Sequence, residues 1–181
     1  ILNSDDMLSS ADALKRAQEV FKQTHAQIVH GNILFRDQHG SHVRTPFLGR
    51  SLAYGMSFNH PGMFVRREVY DEVGMFDLNF RLAMDFEWIC RLYEGHTRCK
   101  YKMKYIHGDP LVEMSGEGAS GSREEETLNE VATALRLHHL YNYTASAELL
   151  KRRTRIRLKK ILIKFGAESA VRTWRDYKWQ Q

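Results

Sequence analysis

The side chains able to do chemistry are carboxylates in two places and a histidine between them. Asp5 and Asp6 stand directly after the apolar pair Ile1-Leu2 and the polar Asn3-Ser4. If that apolar start closes a buried strand, the acids lie at the strand's end, where α/β sheets bind ligands. Clustered hard oxygen donors there suit a divalent cation that neutralises a diphosphate. The plain alternative is capping, with Asp6 or Ser9 starting a helix over Ser10 to Gln23. Asp85 and Glu87 fall in the first turn of another predicted helix, about 200° apart around its axis, so they cannot share a face. An N-cap for Asp85 and a favourable helix-dipole position for Glu87 are the ordinary readings. Arg91, one turn after Glu87, is placed for an internal ion pair. His60 precedes Pro61-Gly62, a turn that could bring a ring nitrogen and closely approached backbone to a ligand, or simply sit at the surface. Arg66 and Arg67 could add cationic contacts there, or be solvated.

The elements that must position these groups follow from periodicity. Ala11, Leu14, Ala17, Val20 and Phe21 recur at helical spacing, and the mostly apolar, β-branched run Gln27 to Phe35 reads as one strand. Asp37 to Gly40 makes a turn, with His42 to Thr45 returning antiparallel before a loop from Pro46 to Met56. Ser57 to Arg66 reads as a strand broken at His60-Pro61-Gly62, with Met63-Phe64-Val65 buried, and Arg67 to Val73 as a short helix closed by Gly74. A loop to Leu82 leads to a helix over Asp85 to Tyr93, ended by Gly95. Arg98 to Ile106 and Leu111 to Met114 read as strands. The glycine- and serine-rich stretch Ser115 to Ser122 is a polar loop, a helix follows from about Arg123 to Tyr141, and a last one covers Ala145 to Phe165. The sum is a mixed sheet flanked by helices.

Composition places the chain among ordinary globular domains: 181 residues, 43% apolar, 27% charged. One core is expected, with an appendage. Cys90 and Cys99 have neither metal-ligand spacing nor the density of a disulfide scaffold, so they read as buried thiols of a reducing compartment. No apolar run approaches the roughly 20 residues that span a bilayer, and the first residues lack the pattern of a secretory signal. The net charge of +5 is uneven: 11 of the 27 Lys and Arg, but only 2 of the 22 acids, lie from Lys151 onward. The body is mildly acidic and the tail strongly basic.

Four stretches carry a resemblance: Leu2-Asn3-Ser4-Asp5-Asp6, then Asn59-His60-Pro61-Gly62-Met63-Phe64-Val65-Arg66-Arg67, then Val73-Gly74-Met75-Phe76-Asp77, then Ala83-Met84-Asp85-Phe86-Glu87-Trp88-Ile89-Cys90-Arg91-Leu92. In this order and at these separations the chain resembles family 2 glycosyltransferases of the GT-A fold, from Ile1 to about Tyr141. Polysaccharide-building members of the colanic-acid type look nearest. Glu113 to Ser120 resembles the family's Gly-Gly-x-Ser loop, with Glu117 in place of a glycine.

The resemblance implies a GT-A nucleotide-diphospho-sugar transferase fold whose N-terminal nucleotide-binding half is missing, so that residues 1–143 are the C-terminal portion of the catalytic domain and 144–181 a basic amphipathic helical tail. The fragment alone is expected to be inactive. Asp5 becomes a ligand of a divalent cation, Mn²⁺ or Mg²⁺, with Asp6 beside it and Asn3, where relatives more often have Asp, toward the donor's ribose. Such a cation stabilises charge on the departing nucleoside diphosphate. Asp85 is the expected general base, because inversion at an anomeric carbon needs a carboxylate opposite the leaving group to take the acceptor hydroxyl's proton. Met84 stands where many relatives carry a second acid. Glu87 is the second choice as a catalytic or acceptor-binding group, and His60 is placed to meet acceptor or diphosphate. Gly116, Gly118 and Gly121 would let their loop close over bound donor.

The expected activity is transfer of a sugar from a nucleotide sugar to a saccharide or lipid-linked acceptor in surface-polysaccharide assembly, in the cytoplasm or at the inner face of the plasma membrane. The basic segment Lys151 to Phe165 reads as a solvated helix on its own core, as a helix lying on an anionic membrane surface, or, third, as a nucleic-acid contact. The last lacks any accompanying aromatic-rich basic motif. The rival classes are a non-catalytic saccharide- or membrane-binding module and a nucleic-acid-binding protein. His138-His139, Trp174 and Tyr177 read as ordinary helix residues, since neighbouring histidines point about 100° apart.

Overall fold

The apolar run beginning at Ile28 is one strand by composition and two in three dimensions. The computed structural model describes residues 5–37, 40–116 and 123–166. In chain order its elements are β1 (Met7–Leu8), α1 (Ala13–Thr24), β2 (Ile28–Gly31), β3 (Ile33–Asp37), β4 (Gly40–Arg44), β5 (Met63–Val65), α2 (Arg67–Val73), α3 (Met84–Arg91), β6 (Tyr93–Glu94), β7 (Arg98–Cys99), β8 (Met103–Ile106), β9 (Val112–Ser115), α4 (Glu124–Leu137) and α5 (Tyr143–Lys164). Two 3-10 turns, Leu52–Tyr54 and His60–Gly62, interrupt the long connection between β4 and β5.

β2 pairs parallel with β8 and antiparallel with β5, whereas β3 pairs parallel with β9 and antiparallel with β4, and β1 closes the edge beyond β9. The two neighbouring strands thus change sheets at the same level, around Asn32 and residues 107–111. Asn32 staples that break. Its amide donates to Gly108 O at 2.7 Å, its carbonyl oxygen accepts from the Tyr105 hydroxyl at 2.6 Å, and its backbone oxygen accepts from Leu111 N at 2.8 Å. A buried amide with all of these partners is satisfied, so the break carries no desolvation penalty of its own. The 3-10 turn packs against it: a Cβ on Gly62 would lie 3.0 Å from Ile33 Cγ2 and 3.1 Å from Gly31 O.

All four residues of β2 are buried because helices cover both faces of the sheet. Alternation sends Ile28 to one side and Val29 to the other. Val29 joins Ala13, Ala17, Ile33, Leu111 and Val112 in a smaller core under α1, and Ile28 joins Trp88, Ile89, Leu92, Leu135, Leu149 and Ile156 in the main core built by α3, α4 and α5.

Several boundaries differ from the sequence expectation. α1 starts at Ala13 without a side-chain cap, because Asp6 faces elsewhere and the Ser9 hydroxyl donates to the Pro110 carbonyl. α3 stops at Arg91 rather than reaching Tyr93, since Tyr93 and Glu94 pair with Cys99 and Arg98 in a hairpin turning at Gly95. The expected strand from Arg98 to Ile106 is divided at 100–102, where Tyr101 turns into the core. Within the expected strand Ser57 to Arg66 only β5 is extended, with Met63 buried and Phe64 and Val65 half-buried. α5 is packed on the body: Asn142 caps it by accepting from Ala145 N at 2.9 Å, and Ala145, Leu149 and Ile156 belong to the main core.

His30 in β2 gives the fold a sensitivity to acid. Its ring lies 5.6 Å from Phe58 and 5.4 Å from Tyr105, it is 3% exposed, and its Nδ1 has no hydrogen-bond partner among the described residues. Burial pushes the imidazole down from 6.5 to about 4. The unfolded chain therefore takes up a proton that the folded chain refuses. Above about pH 6.5 this group costs nothing, and stability falls as the pH drops from there toward 4, by about 3 kcal/mol in all. His30→Phe is expected to remove that loss, measured by urea unfolding at pH 7 and pH 4.5. An undiminished acid loss in the variant would place its origin elsewhere.

Candidate functional site

Three of the residues singled out by sequence converge from distant segments. Asp6, half a turn of chain before β1, is buried at the carboxyl end of β9, where its Oδ1 accepts from Ser115 N at 3.3 Å. His60 opens the 3-10 turn over the Asn32 break and meets Phe76 edge-on, with centroids 5.8 Å apart. Asp85 lies in the first turn of α3, half-buried, its Oδ1 accepting from Phe86 N at 2.7 Å. The carboxylates of Asp85 and Asp6 both bear on the His60 ring: burial holds the imidazole below its ordinary value, and these two negative charges pull it back up. Asp85 has no salt-bridging cation among the described residues. What this brings together is a carboxylate, a largely neutral imidazole and a second carboxylate beside strand ends.

Just before β1 pairs with β9, Asp6 is buried and Asp5 is exposed. Asn3 and the loop residues Glu117, Gly118, Ser120, Gly121 and Ser122 lie outside the described residues, as do Trp174 and Tyr177. Gly116, at the start of that loop, is pinned to β3 by its N–H on Arg36 O at 2.7 Å. A Cβ there would fall 2.7 Å from Phe35 Cζ and 3.0 Å from Arg36 O, so only glycine lets the chain pass.

Two other expected contacts go elsewhere. Glu87 is 2% exposed and faces the core, its Oε2 on Arg91 Nη2 at 2.9 Å and its Oε1 on His138 Nε2 at 2.8 Å. Arg91 in turn donates to Val73 O at 2.9 Å and Met75 O at 2.8 Å, so the pair ties α3 to the loop that carries Phe76. Trp88 assists, with Nε1 on Gly74 O at 2.9 Å and its ring stacked 4.7 Å from Tyr70. The 200° between Asp85 and Glu87 thus separates a group at the site from a group in the framework. Arg66 does not reach the site either: its guanidinium donates to Ala26 O at 2.8 Å, just past the end of α1, and lies over the Phe21 ring. Arg67 is exposed.

Sequence reasoning missed Glu130. This α4 side chain accepts from three consecutive N–H groups directly before α3: Arg81 N at 3.2 Å, Leu82 N at 2.8 Å and Ala83 N at 2.8 Å. It anchors the turn that leads into α3, and it fixes the backbone two residues from Asp85. Glu130→Ala is expected to cost about 1–2 kcal/mol and to speed amide exchange at residues 81–83, with Glu130→Gln recovering part of both. Unchanged exchange in the alanine variant would remove the role.

Among the described residues no three His, Cys, Asp or Glu side chains form a metal cage. The donor set that is present, one inward carboxylate with a second beside it, is of the kind used for Mg²⁺ or Mn²⁺ where substrate phosphates and waters supply the other ligands. Both cysteines are free, and the buried Cys90 thiol is pushed up to about 12, first by burial and then by the Glu87 carboxylate. It is an unreactive core residue.

No protein-family model matches the chain, and no curated protein does. Among solved structures, S. aureus TarS 1–349 in complex with UDP-GlcNAc is similar at a TM-score of 0.50 and 15% identity, over 85% of this chain and 47% of that one. A second structure of S. aureus TarS 1–349 gives 0.49 and 16%, over 83% and 45%. The chain spans about half the length of the TarS structures it matches. At this identity the likeness shows the fold alone: mixed α/β, with sheets flanked by helices.

Proposed function

We propose that this chain is the acceptor-side portion of an inverting glycosyltransferase that moves a sugar from a nucleotide donor to a hydroxyl of a saccharide or lipid-linked acceptor in surface-polysaccharide assembly. The observation that carries the reading is the meeting of Asp6, His60 and Asp85 beside strand ends of a fold shared with a structure that holds UDP-GlcNAc.

Asp85 takes the proton of the acceptor hydroxyl while that oxygen attacks the anomeric carbon from the side opposite the leaving group. The bond from the anomeric carbon to the diphosphate oxygen breaks, its electron pair leaves with the nucleoside diphosphate, and the configuration inverts. His60, kept largely neutral by burial, can donate or accept a hydrogen bond to acceptor or diphosphate without acting as Asp85's counter-ion. Asp6, with Asp5 beside it, is the group to hold Mn²⁺ or Mg²⁺, and Asn3 is assigned to the ribose. When bound, the cation supplies positive charge against the charge growing on the leaving diphosphate.

The intact protein, incubated with a panel of nucleotide sugars and Mn²⁺ or Mg²⁺, is expected to release nucleoside diphosphate from one of them, and EDTA to lower the rate at least about tenfold. Absence of both turnover and calorimetric binding across the panel would reject the reading.

A further inference from the structure

α5 carries two apolar stripes that point in different directions. Ala145, Leu149 and Ile156 lie on one side and are buried in the main core. Leu158, Ile161, Leu162 and Phe165 repeat at i, i+3, i+4 and i+7, a second amphipathic face. Leu158 is about 200° around the helix from Ile156, so the core that takes the first stripe cannot take the second. The exposures agree: 54% for Leu158, 51% for Ile161 and 81% for Phe165.

The charges divide in the same way. Lys159 and Lys160 reach back to Glu124 and Glu125 of α4, at 3.1 and 3.2 Å, and hold the helix to the body. Arg155, Arg157 and Lys164 flank the outer stripe and make no ion pair among the described residues. The only acid within α5, Glu148, lies near its start and is taken by Lys151 and Arg152.

We propose that the last turns of α5 are a docking surface for an anionic lipid bilayer. Leu158, Ile161 and Phe165 enter the boundary between headgroups and acyl chains, and Arg155, Arg157 and Lys164 meet lipid phosphates. The charge selects this occupant, since a second copy would press one cationic face against its equal, whereas an anionic bilayer is complementary to both the apolar stripe and its flanks. No helix among the described residues is long and apolar enough to cross a membrane, so α5 lies in the plane of the surface. The inference is independent of the transfer chemistry and gives the protein a place at a membrane face.

The test is sedimentation of the intact protein with phosphatidylcholine vesicles, with and without phosphatidylglycerol. Binding is expected to be at least about tenfold tighter to the mixed vesicles and to weaken in high salt. Leu158→Ser with Phe165→Ser, and separately Arg155→Gln with Arg157→Gln and Lys164→Gln, should each lower binding at least about tenfold, with melting temperature and turnover unchanged. Equal binding to neutral vesicles, no binding to either, or full binding by both variants would overturn the proposal. So would a self-association in ultracentrifugation that the serine variant abolishes, which would assign the face to a second copy.

Discussion

Asp85→Asn is expected to lower turnover about 10²- to 10⁴-fold while leaving the melting temperature within a degree or so of the parent. The size follows from losing the carboxylate proposed as the base, whose charge bears on His60, and the small structural effect from local geometry. An asparagine amide oxygen can still accept from Phe86 N, and the three N–H bonds to Glu130 are untouched. The measurement is nucleoside diphosphate release with the donor that the intact protein turns over, alongside thermal unfolding. Turnover retained within a few fold would remove Asp85 as the base.

Glu87→Ala is expected to do the reverse, destabilising the fold by about 3 kcal/mol and lowering the melting temperature by roughly 10 °C, with kcat near the parental value at temperatures where the variant remains folded. The alanine leaves the Arg91 guanidinium inside the protein without its carboxylate and takes the partner from His138 Nε2. Arg91 Nε already lacks a hydrogen-bond partner, so the group has little capacity to absorb a further loss. A hundredfold fall in kcat with an unaltered melting curve would restore Glu87 to the chemistry and contradict its place in the framework.

The sequence is most legible where structure is local. α2 and its stop at Gly74 follow from a short apolar repeat and a glycine, and the opposite fates of Asp85 and Glu87 follow from helix geometry alone. What it hides is set by partners far along the chain. Gly31-Asn32 is the one local break in the run from Ile28, but it does not by itself announce a change of sheet, which is imposed by β8 and β9 breaking beside it. That Asp6 is the buried member of the acidic pair depends on its contact with Ser115, 109 residues along the chain. Glu130 gives no local signal, since the turn it anchors lies 47 residues before it. Arg66 follows His60 closely in sequence, yet it is held by the Ala26 carbonyl after α1, 40 residues earlier in the chain.

β1 has a further consequence, for the order of events in folding. It is a two-residue edge strand, and its pairing to β9 brings Asp6 beside Ser115 across a sequence separation of 109 residues. Contacts that close so long a loop with so few bonds form after the local elements and are among the first to open again. The helices and the inner strands can therefore be native while the acidic corner is still unmade. The carboxylate assigned to the cation would then be the last part of the molecule to arrive, and its own edge would set how often it is in place.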